Sequence, residues 1–244
     1  MLKSLFVTAS GMLPKLRELE ITSNNLANIN THGFKKQSIF QKKLNDAQSA
    51  LEATAGTGSA GDSGIEVYTQ FSQGTLDKTD NALDLAIYGE GFFMIQAEDG
   101  IYLTRNGHFQ LNEFGKLVDS NGNAVLTEAG ELYLDSPGLK LSESGKLFLN
   151  GKEITSLMVR TVTNPESLER VGENYYKVTD STNLVDTNPE TKILQGYLEE
   201  SNVDPLEEMV KMIEIYRTFE LAQKDIQAED NNLNKLINQA GRPR

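Results

Sequence analysis

The residues able to do chemistry are few. The chain of 244 residues has two histidines, His32 and His108, and no cysteine. Thiolate nucleophiles, thiolate metal sites and disulfides are thereby excluded, and a histidine-rich metal centre cannot be built. Neither histidine has a thiol or a second histidine nearby in sequence, so each reads as a packing or surface residue rather than a base or ligand. Gly89-Glu90-Gly91-Phe92-Phe93-Met94 opens like a dinucleotide loop, but Met94 stands where the third glycine belongs. Asp119-Ser120-Asn121-Gly122-Asn123 opens like a calcium loop. Ala124 then replaces its turn glycine and Gly130 its bidentate glutamate, so a hairpin turn describes it better. Carboxylates abound, 35 Asp plus Glu against 23 Lys plus Arg for a formal charge of −12, and none is singled out as an acid or base. The sequence predicts no enzyme, no metal and no cofactor. Its acidity also counts against a nucleic-acid partner.

What the sequence does carry is pattern, and it lies at the ends. Leu5, Met12, Leu19 and Leu26 recur every seven residues, with Leu2, Ala9, Leu16 and Ser23 as a companion row. That spacing predicts a helical seam over the first thirty residues. Pro14 lies inside it, lacks an N–H and crowds the preceding turn. The reading is therefore a helix from about Pro14 to Ala27, preceded by a separate piece from Lys3 to about Met12. At the other end Met212, Phe219, Ile226 and Leu233 keep the same spacing, beside Ile215, Ala222 and Leu236, with Glu229 the one polar intruder. Asp204 as cap, Pro205 at the first helical position and Glu207 completing a capping box mark its start. A helix over Pro205 to Asn238 spans about 50 Å.

Between these ends the signal is strands and turns. Ile65, Val67, Thr69 and Phe71 alternate as in a half-buried strand. Asp99-Gly100, Asn106-Gly107, Asn121-Gly122 and Asn150-Gly151 are tight-turn dipeptides flanked by apolar or β-branched residues. Leu157 to Val162, Tyr175 to Val178 and Ile193 to Leu198 read as further strands. Ala53 to Gly64 has the composition of a flexible linker. The expected fold is α+β: N- and C-terminal helices paired in a coiled-coil-like layer, with a central β-rich domain. Its divisions are 1–35 plus 204–240 for the helical domain, 36–64 for the linker and 65–203 for the β-rich domain. No apolar run approaches the roughly 20 residues that span a bilayer, so no membrane insertion is expected. Lys3, Lys15 and Arg17 interrupt the apolar N-terminus, and no small-residue cleavage site follows.

An apolar seam on one long helix has to be covered. Each apolar side chain packed there is worth about 1.5–3 kcal/mol, whereas an isolated helix is marginal in water. The two seams can cover each other within one chain, or complete their burial only against copies.

At Asn24-Asn25-Leu26-Ala27-Asn28-Ile29-Asn30-Thr31-His32-Gly33-Phe34-Lys35 the sequence resembles the bacterial flagellar rod and hook family of axial proteins. The resemblance continues at Ser72-Gln73-Gly74-Thr75-Leu76, Asn81 to Ile87, Gly89 to Phe93, Thr104 to Phe109 and Gly115 to Val118. It resumes from Gln195-Gly196-Tyr197 through Ser201-Asn202-Val203 into the last helix. Leu103 stands where the family usually has an aromatic residue. The resemblance implies paired terminal helices in an inner layer, copies stacked helically around an export channel and a β-rich domain outside. It implies copies of itself and other rod proteins as partners, and export by the flagellar type III apparatus into the periplasmic rod without a cleaved signal peptide. The candidate subunit contacts are Leu5, Met12, Leu19, Leu26, Met212, Phe219, Ile226 and Leu233. The family-motif residues are Asn24, Asn25, Leu26, Ala27, Asn28, Gly33, Phe34, Ser201, Asn202 and Val203, and the Asn24–Lys35 motif is expected to support the turn out of the inner layer. Ser201 to Met209 resembles a proximal rod member. A distal rod subunit is the alternative, and more remotely a non-axial β-rich binding module.

Overall fold

The computed structural model describes residues 2–41, 65–134, 138–172, 174–178 and 183–240, with side chains described for 12–40, 66–134, 138–172, 174–178, 183–229 and 231. Two long helices and a large β-rich body make the fold α+β. Two compact units divide it. One holds helix α1 (Leu2–Ala27), helix α2 (Pro205–Ala240), the strand β1 (Gln37–Gln41) and the strand β2 (Ile65–Thr69) as far as Tyr68. The other holds Asn28–Lys36 and Thr69–Val203.

In the helical unit, α1 and α2 pack on each other. The break expected at Pro14 is absent, and α1 runs through it without interruption. An interior proline costs about 3 kcal/mol, one lost hydrogen bond and a crowded carbonyl. Its 26-residue helix is held from outside by α2. Packing therefore overrides the local penalty. The start of α2 follows its signals, because the Asp204 carboxylate accepts the N–H groups of Leu206 at 2.8 Å and Glu207 at 3.2 Å. β1 and β2 form a two-stranded ribbon. The alternation expected over 65–71 does not bury a face there, since Val67 and Tyr68 are both exposed. Phe71 leaves the strand and packs its ring against Phe92 and Tyr176. The linker-like stretch Ala53 to Gly64 lies outside the described residues.

In the β-rich unit the largest sheet is antiparallel. Its strands run in the order Leu168–Val171, Tyr175–Val178, Gly100–Thr104, Phe92–Ala97, Ala124–Thr127, Leu117–Val118 and Gln110–Leu111. Phe92–Ala97 is its centre, which is why Phe92, Phe93, Met94 and Ile95 form an unbroken apolar run. Phe93 and Ile95 enter one core with Leu85, Phe109, Leu147 and Ile193, while Phe92 and Met94 enter a second with Leu103, Val162 and Tyr176. The segment that opened like a dinucleotide loop thus runs, from Phe92 on, into a strand buried on both faces.

The turn dipeptides divide. Asp99-Gly100 and Asn121-Gly122 lie where consecutive strands reverse. Asn150 and Gly151 both adopt positive φ, 53° and 81°, the requirement of a two-residue type I′ hairpin. Asn106-Gly107 makes no hairpin, contrary to expectation. A Cβ on Gly107 would sit 1.6 Å from the Leu85 carbonyl oxygen, so this glycine permits two backbones to touch. The single strand expected from Ile193 to Leu198 is two, Lys192–Gln195 and Tyr197–Glu199, divided at Gly196.

Candidate functional site

With no active site legible, the candidate functional features are the helix pair and the places where the quoted motifs meet. On α2 the inward row is Glu208, Met212, Ile215, Phe219, Ala222, Ile226 and Glu229, spaced alternately four and three apart. Glu208 and Ile215 are buried and the others half-buried. On α1, Ile21, Thr22 and Asn25 are buried, and Met12, Leu19 and Leu26 half-buried. Leu5 and Leu233 lie on the two helices, but their side chains fall outside those described.

α2 carries a second apolar row on its opposite face. Leu206, Met209, Val210, Ile213 and Tyr216 are 71, 42, 56, 52 and 56% exposed. At about 100° per residue these positions fall on one side, and the inward row falls on the other. On α1, Leu13 and Leu16 are also exposed. A helix apolar on both faces in a single chain has surface left to cover. The sequence reading found the inward row and missed the outward one. The signal was present at 206, 209, 210 and 213, an i, i+3, i+4, i+7 series.

Asn25 is the polar lock of the helical unit. Its Oδ1 accepts the Gln37 N–H at 3.0 Å, its Nδ2 donates to the Gln37 carbonyl at 2.8 Å, and Nδ2 also reaches Glu208 Oε2 at 3.1 Å. One amide thereby holds the first residue of β1 and the start of α2. A flanking ion pair, Glu18 with Lys211 at 3.6 Å, also crosses the two helices. Asn24 and Ala27 are exposed on α1. Thr31 closes on Asn28, N–H to carbonyl at 3.1 Å.

In the β-rich unit the motifs converge on Glu199. Its Oε1 accepts from Lys35 Nζ at 2.6 Å and from the Gly74 N–H at 3.0 Å, and its Oε2 lies 3.3 Å from Arg105 Nη1. Lys35 also donates to the Ser72 carbonyl at 2.7 Å, and Arg105 Nη2 to the Gly89 carbonyl at 2.8 Å. Lys35 and Glu199 have fully buried side chains. Four sequence motifs thus meet at one carboxylate, its own included, and Arg105 ties in a fifth at Gly89. Burial pushes the Lys35 ammonium below its ordinary pKa, against the opposing pull of Glu199. Burial lowers Arg105 as well, and drives the adjoining Tyr176 phenol up to about 12. Arg105 Nε and Tyr176 Oη are buried with no hydrogen-bond partner.

The loop carrying Lys35 is fixed on the same scale. Gly33 adopts φ +70°, and a Cβ there would stand 2.4 Å from the Asn106 nitrogen. Its N–H donates to the Glu199 carbonyl at 2.7 Å. Phe34 is fully buried, with the Arg170 guanidinium 4.5 Å from its ring centroid. Asn202 accepts the Lys36 N–H at 2.7 Å and donates to Gln70 and Ser72, while Ser201 Oγ accepts the N–H of buried Val203.

Several of the polar residues singled out in the sequence hold local structure. Asp119 Oδ1 accepts the N–H groups of Asn121 and Asn123, closing the turn that resembled a calcium loop. His108 Nδ1 lies 2.8 Å from Asp84 Oδ1, and His32 accepts at its carbonyl from Asn174. Among the described residues no helix is long and apolar enough to cross a membrane.

Three family descriptions match in chain order. "Flagella basal body rod protein" covers residues 5–35, "Flagellar hook protein FlgE/F/G D1 domain" covers 86–156, and "Flagellar basal body rod FlgEFG protein C-terminal" covers 194–239. The flagellar basal-body rod protein FlgG of Buchnera aphidicola subsp. Schizaphis graminum is 34% identical, over 97% of this chain and 99% of its own. The chain belongs to the flagellar basal-body rod protein family. Bacillus subtilis FlgG is 31% identical over 98% of this chain and 99% of its own. Caulobacter vibrioides FlgF, another flagellar basal-body rod protein, is 34% identical over 91% of each. The first family match spans α1 and the Lys35 loop. The third spans Glu199, Asn202 and nearly all of α2.

Proposed function

We propose that the chain is a structural subunit of the flagellar rod. Its α1 and α2 form a coiled-coil-like inner layer, and copies stack helically around an axial export channel. The observation that carries this reading is the outward apolar row of α2. One face is occupied by α1, and the opposite one, from Leu206 to Tyr216, is left for neighbours. Those neighbours are copies of the chain and other rod proteins, joined by head-to-tail contacts that do not close on themselves. In this reading the inward row, with Leu5, Met12, Leu19, Leu26, Met212, Phe219, Ile226 and Leu233, is completed in the polymer. The subunit reaches the periplasmic space through the type III export apparatus and transmits torque from motor to hook. Ser201 to Met209 supports a proximal position.

The test is electron microscopy of basal bodies from a strain lacking this chain. Rings present with a truncated rod and no hook are expected, and the truncation point separates a proximal from a distal subunit. Complete rods, hooks and filaments would overturn the proposal.

A further inference from the structure

The chain's only two histidines line one open cleft of the β-rich unit, about 250 Å³ in volume. Every residue lining it carries a polar side-chain group, among them Asn106, Ser120, Asn121 and Asn174. No lysine or arginine is present to hold an anion. The one carboxylate, Asp119, is committed: Oδ1 accepts two backbone N–H groups and Oδ2 accepts the Tyr175 hydroxyl at 2.5 Å. A cation therefore finds no free charge either.

The amides, by contrast, have capacity left. Asn106 commits its Oδ1 to the His108 N–H and keeps its amide donor. Asn121 commits its donor to Tyr175 Oη and keeps its Oδ1. Asn174 is buried, 5% exposed, and donates to the His32 carbonyl at 2.8 Å, while its Oδ1 has no hydrogen-bond partner. Interleaved amide and hydroxyl donors and acceptors match hydroxyl groups that can both give and take hydrogen bonds. A peptide would also ask for apolar side-chain pockets, and no aliphatic residue lines this cleft.

We propose that this cleft binds a neutral carbohydrate, seating one sugar residue. The volume is just below the range of small-molecule pockets, about 300–1,000 Å³, which suits a single ring. The site is independent of the helix pair, so its fate and that of the assembly reading are separable.

The test is nuclear magnetic resonance titration of the full-length chain. The probes are N-acetylglucosamine, its β-1,4-linked tetramer, a β-1,4-linked glucose tetramer and triglycine. Saturable shifts of the Asn106, Asn121 and Asn174 side-chain amides are expected with a sugar, at a dissociation constant of about 1 mM. Asn174→Asp is expected to weaken binding about tenfold or more. Ser120→Ala, at the exposed rim, gives a milder loss and covers the case in which the buried variant fails to fold. Saturation by the monosaccharide alone would identify a free sugar, and saturation by a tetramer a glycan chain; both uphold the carbohydrate class. Shifts that fail to saturate with every sugar, that persist undiminished in both variants, or that triglycine reproduces would overturn the proposal.

Discussion

At the scale of single residues, two buried polar centres do the joining: Asn25 in the helical unit and Glu199 in the β-rich one. A buried carboxylate between two cations is costly to desolvate, and removing one partner costs more than the pair contributes. Glu199→Gln strands Lys35 and Arg105 in the interior. It is expected to destabilise the β-rich unit by about 3–5 kcal/mol in denaturant unfolding. A loss below about 1 kcal/mol would mean that the cluster is solvated. Thr22 is the opposite case, its hydroxyl buried without a hydrogen-bond partner. Thr22→Val is expected to stabilise the helical unit by up to about 1 kcal/mol, read as a higher unfolding midpoint. Tyr175 and Tyr176 supply a pH test, both raised to about 12 chiefly by burial, with the Asp119 hydrogen bond adding to Tyr175. The folded state holds these protons more tightly than the unfolded one. Their contribution is therefore complete below pH 10 and is lost as pH rises through about 12. Phenolate absorbance should show a late step that Tyr176→Phe diminishes, and a single step near pH 10 would contradict this burial.

How far the sequence could be read follows from separation along the chain. The Asp204 cap and the Asn150-Gly151 turn are visible because their chemistry is complete within four residues. The Lys35–Glu199 pair joins positions 164 apart, and no local pattern encodes it. The resemblance marked both residues' motifs without saying that they touch.

At the scale of elements, the lesson is that packing outranks propensity. Pro14 predicts a break by local chemistry, and α1 ignores it because α2 runs beside it. Pro14→Ala should then recover much of the local cost, about 3 kcal/mol at most, seen as slower hydrogen exchange in the turn around residues 10–14. Unchanged exchange there would mean that the proline is already accommodated without strain. The heptad on α2 was legible and its register agrees with the observed burial. The outward row was legible too, but the eye stops at one stripe when one stripe suffices for a hairpin. What no periodicity could show is which of the two apolar stripes is covered. In the β-rich unit some strands were read, Tyr175–Val178 among them, while Phe92–Ala97 and the order of the strands were not. Order depends on which cores the faces of Phe92–Ala97 enter, a property of contacts distant in sequence.

At the scale of the whole molecule, the acidic chain combines a β-rich unit with two well-packed cores and a helical unit that leaves apolar surface bare. That imbalance is what an assembling subunit requires, since burial withheld from the monomer becomes available at the contact with its neighbours. The most direct measurement is electron microscopy of basal bodies from the deletion strain complemented with Val210→Asp/Ile213→Asp. Both side chains are more than half exposed, so the variant is expected to fold with an unchanged unfolding midpoint. The account predicts rods truncated as in the uncomplemented strain. Rods, hooks and filaments of normal length would show that the outward face of α2 is not where this subunit meets its neighbours.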